Sequence, residues 1–237
     1  MKKIIKKELE APISEIFTSI QGEGFGIGMP SVFIRFWGCN LRCRFNGKEC
    51  DTPYSVFDFE KNSLMKDVSY VVDKIKNSGV NHIVYTGGEP LIYQDFIIEV
   101  MKKLTSFTCE IETNGTIPIR DEDTFDKIVS WFNISVKLKS SNQENKSYDK
   151  KRIFYPALNT FPISKSYFKF VYNNKNDLDE ILELKKRYNL PIYLMPEGID
   201  RAAIIKHSEE VVELCIKHNF RFSPREHIMI WDKKRGI

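Results

Sequence analysis

No apolar stretch in this sequence reaches the ~20 residues that a membrane-spanning helix requires. The first residues carry no apolar core followed by a small-residue cleavage site, so no secretory signal is expected. An excess of one charge is also missing. Thirty-six Lys and Arg stand against 32 Asp and Glu, a formal +4, which is too mild for a nucleic-acid binder. The N-terminal Lys2, Lys3, Lys6 and Lys7 are interrupted by Ile4 and Ile5 and answered by Glu8 and Glu10, a pattern that reads as a solvated edge. Cysteine is scarce and odd in number. Three of the five fall between positions 39 and 50, which argues against a disulfide framework and for a reducing, cytoplasmic compartment.

The rest of the composition is that of a globular protein, with 42% apolar and 29% charged residues. At 237 residues the chain suffices for one sizeable core and is short for two, so a single domain over 1–237 is expected. Its pattern alternates. The spacing predicts an extended segment over Ile13–Ile20 and strands over Ser31–Trp37, His82–Tyr85, Thr108–Glu112, Phe132–Leu138, Tyr167–Tyr172, Pro191–Met195 and, short, Phe220–Ser223. Helical spacing covers Leu64–Lys76, closed by Gly79, then Phe96–Leu104, Phe125–Val129, Leu178–Tyr188 with Asn176 as a cap, and Ser208–His218. Apolar strands alternating with helices imply an α/β fold, a parallel sheet with helices outside. About six units fit a reduced or partial (β/α)6-type barrel, because a full eight-unit barrel takes ~250 residues. Lys139–Arg152, rich in Ser, Asn and Lys, reads as an exposed and mobile connection.

The unusual residues fall where strands end, which is where parallel α/β folds collect their chemistry. Cys39, Cys43 and Cys50 lie in a polar loop with Arg42, Arg44 and Lys48, and nearby cations favour the ligating thiolate. Three thiolates without a fourth suggest a metal cluster one ligand short, a place for something else to bind. Zinc is the competitor, but a structural zinc wants four closed ligands, so an iron–sulfur cluster fits better. Cys109 and Cys215 read as buried apolar cysteines. Gly87-Gly88 is either a tight turn or a close approach to a ligand, and Glu89 after it offers a carboxylate to an amine or a ribose hydroxyl. Asn114-Gly115, with Glu112 before it at a strand end, reads as a ligand contact. His82, His207 and His218 read as surface or helix-end residues without a role, and His227 is as compatible with packing as with catalysis.

The cysteine loop followed by Thr86-Gly87-Gly88-Glu89-Pro90 resembles the radical S-adenosylmethionine (SAM) enzymes. Ser19-Ile20-Gln21-Gly22-Glu23-Gly24, Phe33-Ile34-Arg35, Gly38-Cys39-Asn40-Leu41-Arg42-Cys43, Cys50-Asp51-Thr52, Ser223-Pro224-Arg225 with His227, and Arg235-Gly236 sharpen the resemblance to the 7-carboxy-7-deazaguanine synthase family. It covers nearly the whole chain, least well over 139–164. It implies ring contraction of 6-carboxy-5,6,7,8-tetrahydropterin with release of ammonia, in the route to queuosine and other deazapurines. It implies that Cys39, Cys43 and Cys50 hold a 4Fe–4S cluster whose fourth iron is chelated by SAM. It places Thr52 on Mg²⁺, and Gly88, Glu89, Asn114, Ser135, Val136 and Lys137 on SAM. It places Ile20, Gln21, Gly22, Arg35, Thr86 and Ile237 on the substrate, with Arg35 pairing the carboxylate. A homodimer and an electron donor such as flavodoxin or ferredoxin are implied as partners.

Two departures stand out. Six residues separate Cys43 from Cys50, so Asn46-Gly47-Lys48-Glu49 is a four-residue insertion that must loop out for Cys50 to join the others. Val136 stands where the family has Pro. Three alternatives stay open: Arg35 in a structural ion pair, Thr52 as a plain turn residue before Pro53, and a different class of protein altogether. The last would be a small radical SAM activase that generates a glycyl radical on a partner, or a non-catalytic iron–sulfur or zinc protein.

Overall fold

The computed structural model describes residues 8–45, 47–57, 61, 63–142 and 146–236. A nine-stranded sheet runs through them. Its strands are β1 (Glu10–Ile20), β2 (Pro30–Phe36), β5 (Leu64–Asp67), β6 (His82–Gly87), β7 (Thr108–Thr113), β8 (Trp131–Ile134), β9 (Ser166–Tyr172), β10 (Ile192–Pro196) and β11 (Arg221–Phe222). A separate two-stranded hairpin is formed by β3 (Arg44–Phe45) and β4 (Lys48–Glu49). The longer helices are α1 (Val68–Lys76), α2 (Gln94–Lys102), α3 (Glu122–Ile128), α6 (Asn176–Tyr188) and α7 (Arg201–His218). The shorter ones are α4 (Lys146–Asp149), α5 (Tyr155–Leu158) and α8 (Glu226–Trp231).

The sheet order is β11-β10-β9-β8-β7-β6-β2-β1-β5, with two unjoined edges among the described residues, so the barrel is partial as expected. From β2 to β11 every neighbouring pair is parallel. At the other edge β1 runs antiparallel to β2, and β5 antiparallel to β1.

Strand alternation gives the sheet two unlike faces. Val32, Ile34, Phe36, Tyr85, Ile111, Phe132, Phe168, Phe170 and Leu194 point to one side. There they join Val71, Ile75, Ile97, Val100, Phe125, Ile181, Leu184 and Val211 of the helices in one apolar core. Each such side chain, fully buried, contributes roughly 1.5–3 kcal/mol. The intervening positions carry Arg35, Thr86, Glu110, Glu112, Asn133 and Lys169 to the opposite face. The register sets Arg35 beside Thr86, Val84 beside Glu110, and Glu112 beside Asn133.

Several boundaries differ from the sequence expectation, each for a local reason. Leu64–Asp67 is a strand, and the helix begins only after Asp67, whose carboxylate accepts from Tyr70 N at 2.7 Å. Strand β8 stops at Ile134, and the last ladder bond leaves Ser135 N for Thr113 O at 2.7 Å. Helix α7 starts seven residues early because Asp200 caps it through Ala203 N at 2.9 Å. Asn176 is the first residue of α6 and not its cap. The largest correction concerns Lys139–Arg152. Ser140, Ser141, Tyr148 and Arg152 are buried, and Arg152 bonds Asp149 and Glu180, both at 2.6 Å. Ser140, Asn142 and Arg152 face inward, against partners supplied by α6 and by the cysteine loop, while Lys139, Ser147, Asp149, Lys150 and Lys151 stay exposed as expected.

Candidate active site

The cysteine loop leaves β2 at Phe36. Gly38 takes a φ of +99° and donates its N–H to Ser55 O at 2.7 Å. Beyond Cys43 the chain forms the β3–β4 hairpin, pairing Arg44 with Glu49 and Phe45 with Lys48, with Gly47 at φ +76°. Cys50 N then donates to Cys43 O at 3.1 Å. Lys48–Glu49 of the insertion therefore pair back on Arg44–Phe45 as an antiparallel hairpin and return Cys50 to the side of Cys43, while Asn46 lies outside the described residues. Leu41, Cys43 and Tyr148 form a small buried cluster, and Cys39, Phe45 and Cys50 pack against it.

The Gly-Gly turn packs on this loop from β6. Gly88 N donates to Phe36 O at 3.1 Å, and Glu89 N to Gly38 O at 2.8 Å. A Cβ on Gly88 would overlap the Gly38 carbonyl, and one on Gly87 the Phe36 carbonyl. In this chain the close approach at both glycines is made by the cysteine loop's own backbone. Glu89 is wholly buried. It accepts from Leu91 N at 3.0 Å, Thr113 Oγ1 at 2.7 Å and Asn114 N at 2.7 Å. Burial raises its pKa despite those donors. Its carboxylate ties the ends of β6 and β7 together. Asn114 in turn donates to Asn40 Oδ1 at 2.9 Å and lies 3.8 Å from Cys39 Sγ.

The electrostatics of the thiols overturn one expectation. Burial and the Glu89 carboxylate push Cys39 up to about 12, and burial and Asp51 push Cys50 up to about 11. Arg42 and Arg44 of the loop are engaged elsewhere. Arg42 donates to Leu41 O at 2.8 Å and to Cys39 O at 2.5 Å, and Arg44 faces Glu49 at 3.8 Å. Desolvated thiols beside carboxylates suit a positively charged inorganic group that would take them as thiolates. Among the described residues no three His, Cys, Asp or Glu side chains converge as ligands of a single ion. The Thr52 hydroxyl sits 3.5 Å from Cys50 Sγ, and its carbonyl accepts from Ser55 N at 3.0 Å. Lys137 Nζ donates to Ser135 O at 3.0 Å and Ser135 Oγ at 2.9 Å, while Val136 is buried.

A second group of polar residues occupies the same sheet face. Gln21 donates to Glu110 Oε1, and Trp131 Nε1 to Glu110 Oε2. Thr86 Oγ1 donates to Glu112 at 2.8 Å, and Asn133 donates to it at 3.3 Å. Lys169 pairs with Glu23 and lies 3.4 Å from Glu112. Arg225 bonds Glu23 at 2.9 Å and Asp51 at 2.7 Å, so the C-terminal segment reaches the cysteine loop directly. Burial would raise the Glu23 pKa, yet Lys169 and Arg225 hold it far below the usual carboxylate range. Burial and the Glu112 charge push Glu110 up to about 8. Gly22 packs so closely on His227 that a Cβ would overlap its ring, and burial lowers that histidine's pKa. Ile20 is half-buried at the end of β1.

Arg35 is in an ion pair, its Nε 3.0 Å from Glu15, with Arg235 2.6 Å from the same carboxylate. His82 is a correction. It is buried in β6, stacked on Trp131 with ring centroids 4.9 Å apart, and burial lowers it to about 4. Ile237 lies outside the described residues. Tyr148, Lys169, Glu110 and Trp131 were not singled out in the sequence. The signal for Glu110 and Lys169 was a lone charge at an alternate position in an apolar strand. Tyr148 had no such signal.

A family model described as the Radical SAM superfamily matches residues 34–184. A 7-carboxy-7-deazaguanine synthase of Clostridium acetobutylicum is 36% identical, covering 95% of this chain and 98% of the relative. One from Pyrobaculum aerophilum is 34% identical, covering 94% of this chain and 96% of that one. The crystal structure of QueE from Escherichia coli superposes with a TM-score of 0.70 at 24% identity, over 91% of this chain and 93% of that one, and supports the fold.

Proposed function

The chain belongs to the radical SAM superfamily and, within it, to the 7-carboxy-7-deazaguanine synthases, and from that premise we propose how its residues divide the work. The reaction is the radical ring contraction of 6-carboxy-5,6,7,8-tetrahydropterin to 7-carboxy-7-deazaguanine, a lyase step in 7-deazapurine biosynthesis. The cofactors are a 4Fe–4S cluster and SAM. When bound, they supply the electron and the hydrogen-abstracting radical.

Cys39, Cys43 and Cys50 hold the cluster. The observation that carries this is the hairpin, which sets Cys50 beside Cys43 around one buried centre. Gly88, Asn114 and Ser135–Lys137 border the cysteine loop and receive SAM. Glu89 braces the ends of β6 and β7 and so holds that surface in place. Thr52 offers a hard hydroxyl oxygen to Mg²⁺ on the substrate side of Cys50. Gln21, Thr86, Glu112 and Lys169 line the polar sheet face and hold the pterin by hydrogen bonds. Gly22 presents backbone beside them, Ile20 contributes an apolar wall, and Ile237 is assigned to the substrate on the family resemblance alone. Arg35 keeps two guanidinium nitrogens beyond its bond to Glu15 and uses them for the substrate carboxylate. Positioning is the protein's main contribution, because the radical supplies the reactivity and its side reactions must be prevented. The remaining features are ammonia as co-product, one domain, a homodimer, a cytoplasmic setting and a small electron-transfer protein as reductant. No described helix is long and apolar enough to cross a membrane.

The test is anaerobic turnover of the reconstituted, dithionite-reduced enzyme with the carboxytetrahydropterin, SAM and Mg²⁺. Formation of 7-carboxydeazaguanine, faster with Mg²⁺ than without, is expected. Cleavage of SAM with the pterin unchanged would overturn the substrate assignment. Stoichiometric zinc without iron would overturn the cluster. Thr52→Ala is expected to raise the Mg²⁺ concentration needed for half-maximal rate at least several-fold.

A further inference from the structure

Tyr148 enters the cysteine centre from a distant part of the chain. It sits on α4 (Lys146–Asp149), within the stretch 139–164 where the family resemblance is weakest. Its hydroxyl lies 3.2 Å from Cys43 Sγ, within a buried contact. Its ring packs with Leu41 and Cys43, both buried. The placement is built from several sides. Ser141 Oγ lies 2.9 Å from the phenol oxygen and 2.5 Å from Leu138 O. Asn142 Nδ2 donates to Arg42 O at 2.7 Å, tying the same segment to the residue before Cys43. Arg152, at the far end, donates to Lys137 O at 3.1 Å.

We propose that Tyr148 is a positioning residue for the cluster, whose phenol donates a hydrogen bond to the Cys43 sulfur and thereby raises the cluster's reduction potential. The inference rests on the reading that Cys43 is a cluster ligand. In the described chain the sulfur is that of a thiol, which stands in for the thiolate. A sulfur bound to iron carries no proton and can only accept, so ligation makes the phenol the donor. Ser141, between the phenol and the Leu138 carbonyl, can turn to either. A donor to a ligating sulfur withdraws electron density from the iron and favours the reduced cluster. Hydrogen bonds to the sulfurs and burial are two of the levers that set such potentials. Tyr148 supplies both, since its ring also covers the sulfur.

The experiment is potentiometric titration of the reconstituted enzyme with dithionite, followed by the electron paramagnetic resonance signal of the reduced cluster. Iron and sulfide are assayed on the same samples. Tyr148→Phe keeps the ring and deletes only the hydroxyl. It is expected to retain iron and sulfide while lowering the midpoint, by roughly three- to tenfold in the one-electron reduction equilibrium, tenfold being about 59 mV. An unchanged midpoint in a fully loaded Tyr148→Phe protein would overturn the proposal, since a residue that only fills space leaves the potential where it was. If Tyr148→Phe fails to hold a cluster, Tyr148→3-fluorotyrosine decides. It keeps the ring and the hydroxyl but makes the phenol the stronger donor, so a raised midpoint supports the proposal and an unmoved one overturns it. Absence of iron from the wild-type protein would instead sink the cluster reading itself.

Discussion

The polar face of the sheet has two ends with opposite electrostatics. At the cysteine end, Cys39 and Cys50 are pushed up by burial and by neighbouring carboxylates, and the nearby arginines are bonded elsewhere. At the carboxylate end, Glu23, Glu112 and Asp51 meet Lys169 and Arg225, and most polar atoms have a partner within the chain. One end gathers desolvated thiols beside carboxylates. The other is largely complete and holds β7, β9, the Gln21–Gly24 turn and the C-terminal segment together. Burial beside carboxylates keeps Cys39 and Cys50 as neutral thiols, because a thiolate there would be a desolvated charge without a counterion. The paired end supplies the rigid frame on which the cysteine loop is held.

This contrast breaks first at Lys169. Replacing it by Met leaves the half-buried Glu23 and Glu112 without their shared cation, and removing the buried member of such a group costs about 3 kcal/mol, the low end for buried pairs. Urea denaturation of the protein without cluster is expected to show a loss of that size. An unchanged midpoint of unfolding would mean that the carboxylate end is not the frame.

Gly88→Ala tests the junction from the other side. Its Cβ would meet the Gly38 carbonyl, a backbone atom with little room to move. Overpacking of this kind costs about 1–3 kcal/mol. The displacement should fall on the cysteine loop, so iron bound per chain after reconstitution should drop more steeply than stability. Equal iron content in the variant and the parent would count against the close packing.

Glu110 gives the comparison a pH signature. Its folded pKa is about 8 against 4.5 for the unfolded group, so the folded chain holds a proton that the unfolded chain has lost. Its contribution to stability is therefore present below pH 4.5 and is lost as pH rises toward 8. His82 acts in the opposite sense, with a folded pKa of about 4 against 6.5, and finishes its change by pH 6.5. Between pH 6.5 and 8 the decline belongs to Glu110 rather than His82. Unfolding free energies measured across that window should fall in the parent and stay flatter in Glu110→Ala, whatever that variant's overall stability. Identical slopes would remove the assignment.

The smallest effect is expected from deleting Asn46–Glu49. The hairpin returns Cys50 N to 3.1 Å from Cys43 O, so it behaves as a spacer. Its removal should cost under about 1 kcal/mol, as an exposed surface change usually does, and leave iron incorporation near that of the parent. Loss of the cluster on deletion would make the hairpin part of the cysteine end.

Much of this was legible in the amino-acid order. The alternation of apolar strands and helices marked the parallel sheet, because periodicity reports which face of each element is buried. Cys39, Cys43 and Cys50, with Gly87-Gly88-Glu89, marked the candidate site, because three clustered cysteines in a polar loop rarely serve a core. The four-residue departure before Cys50 was visible as an insertion, and Asn46-Gly47 as its turn. These are local features, and local sequence carries them.

What the tertiary structure alone decided is which groups face one another. Glu89 reads as a ligand contact in the sequence, but the ends of β6 and β7 come close enough to occupy its carboxylate. Arg35 was free to face a substrate or an acid, and the antiparallel register of β1 against β2 set Glu15 beside it. Lys139–Arg152 carries the composition of a solvated loop, yet Tyr148 and Arg152 are buried because the cysteine loop and α6 supply partners for them. Composition and spacing set which residues can be buried or charged. The pairing of Tyr148 with Cys43, 105 positions apart, depends on how the sheet brings two distant loops to one end, and no short-range pattern encodes that.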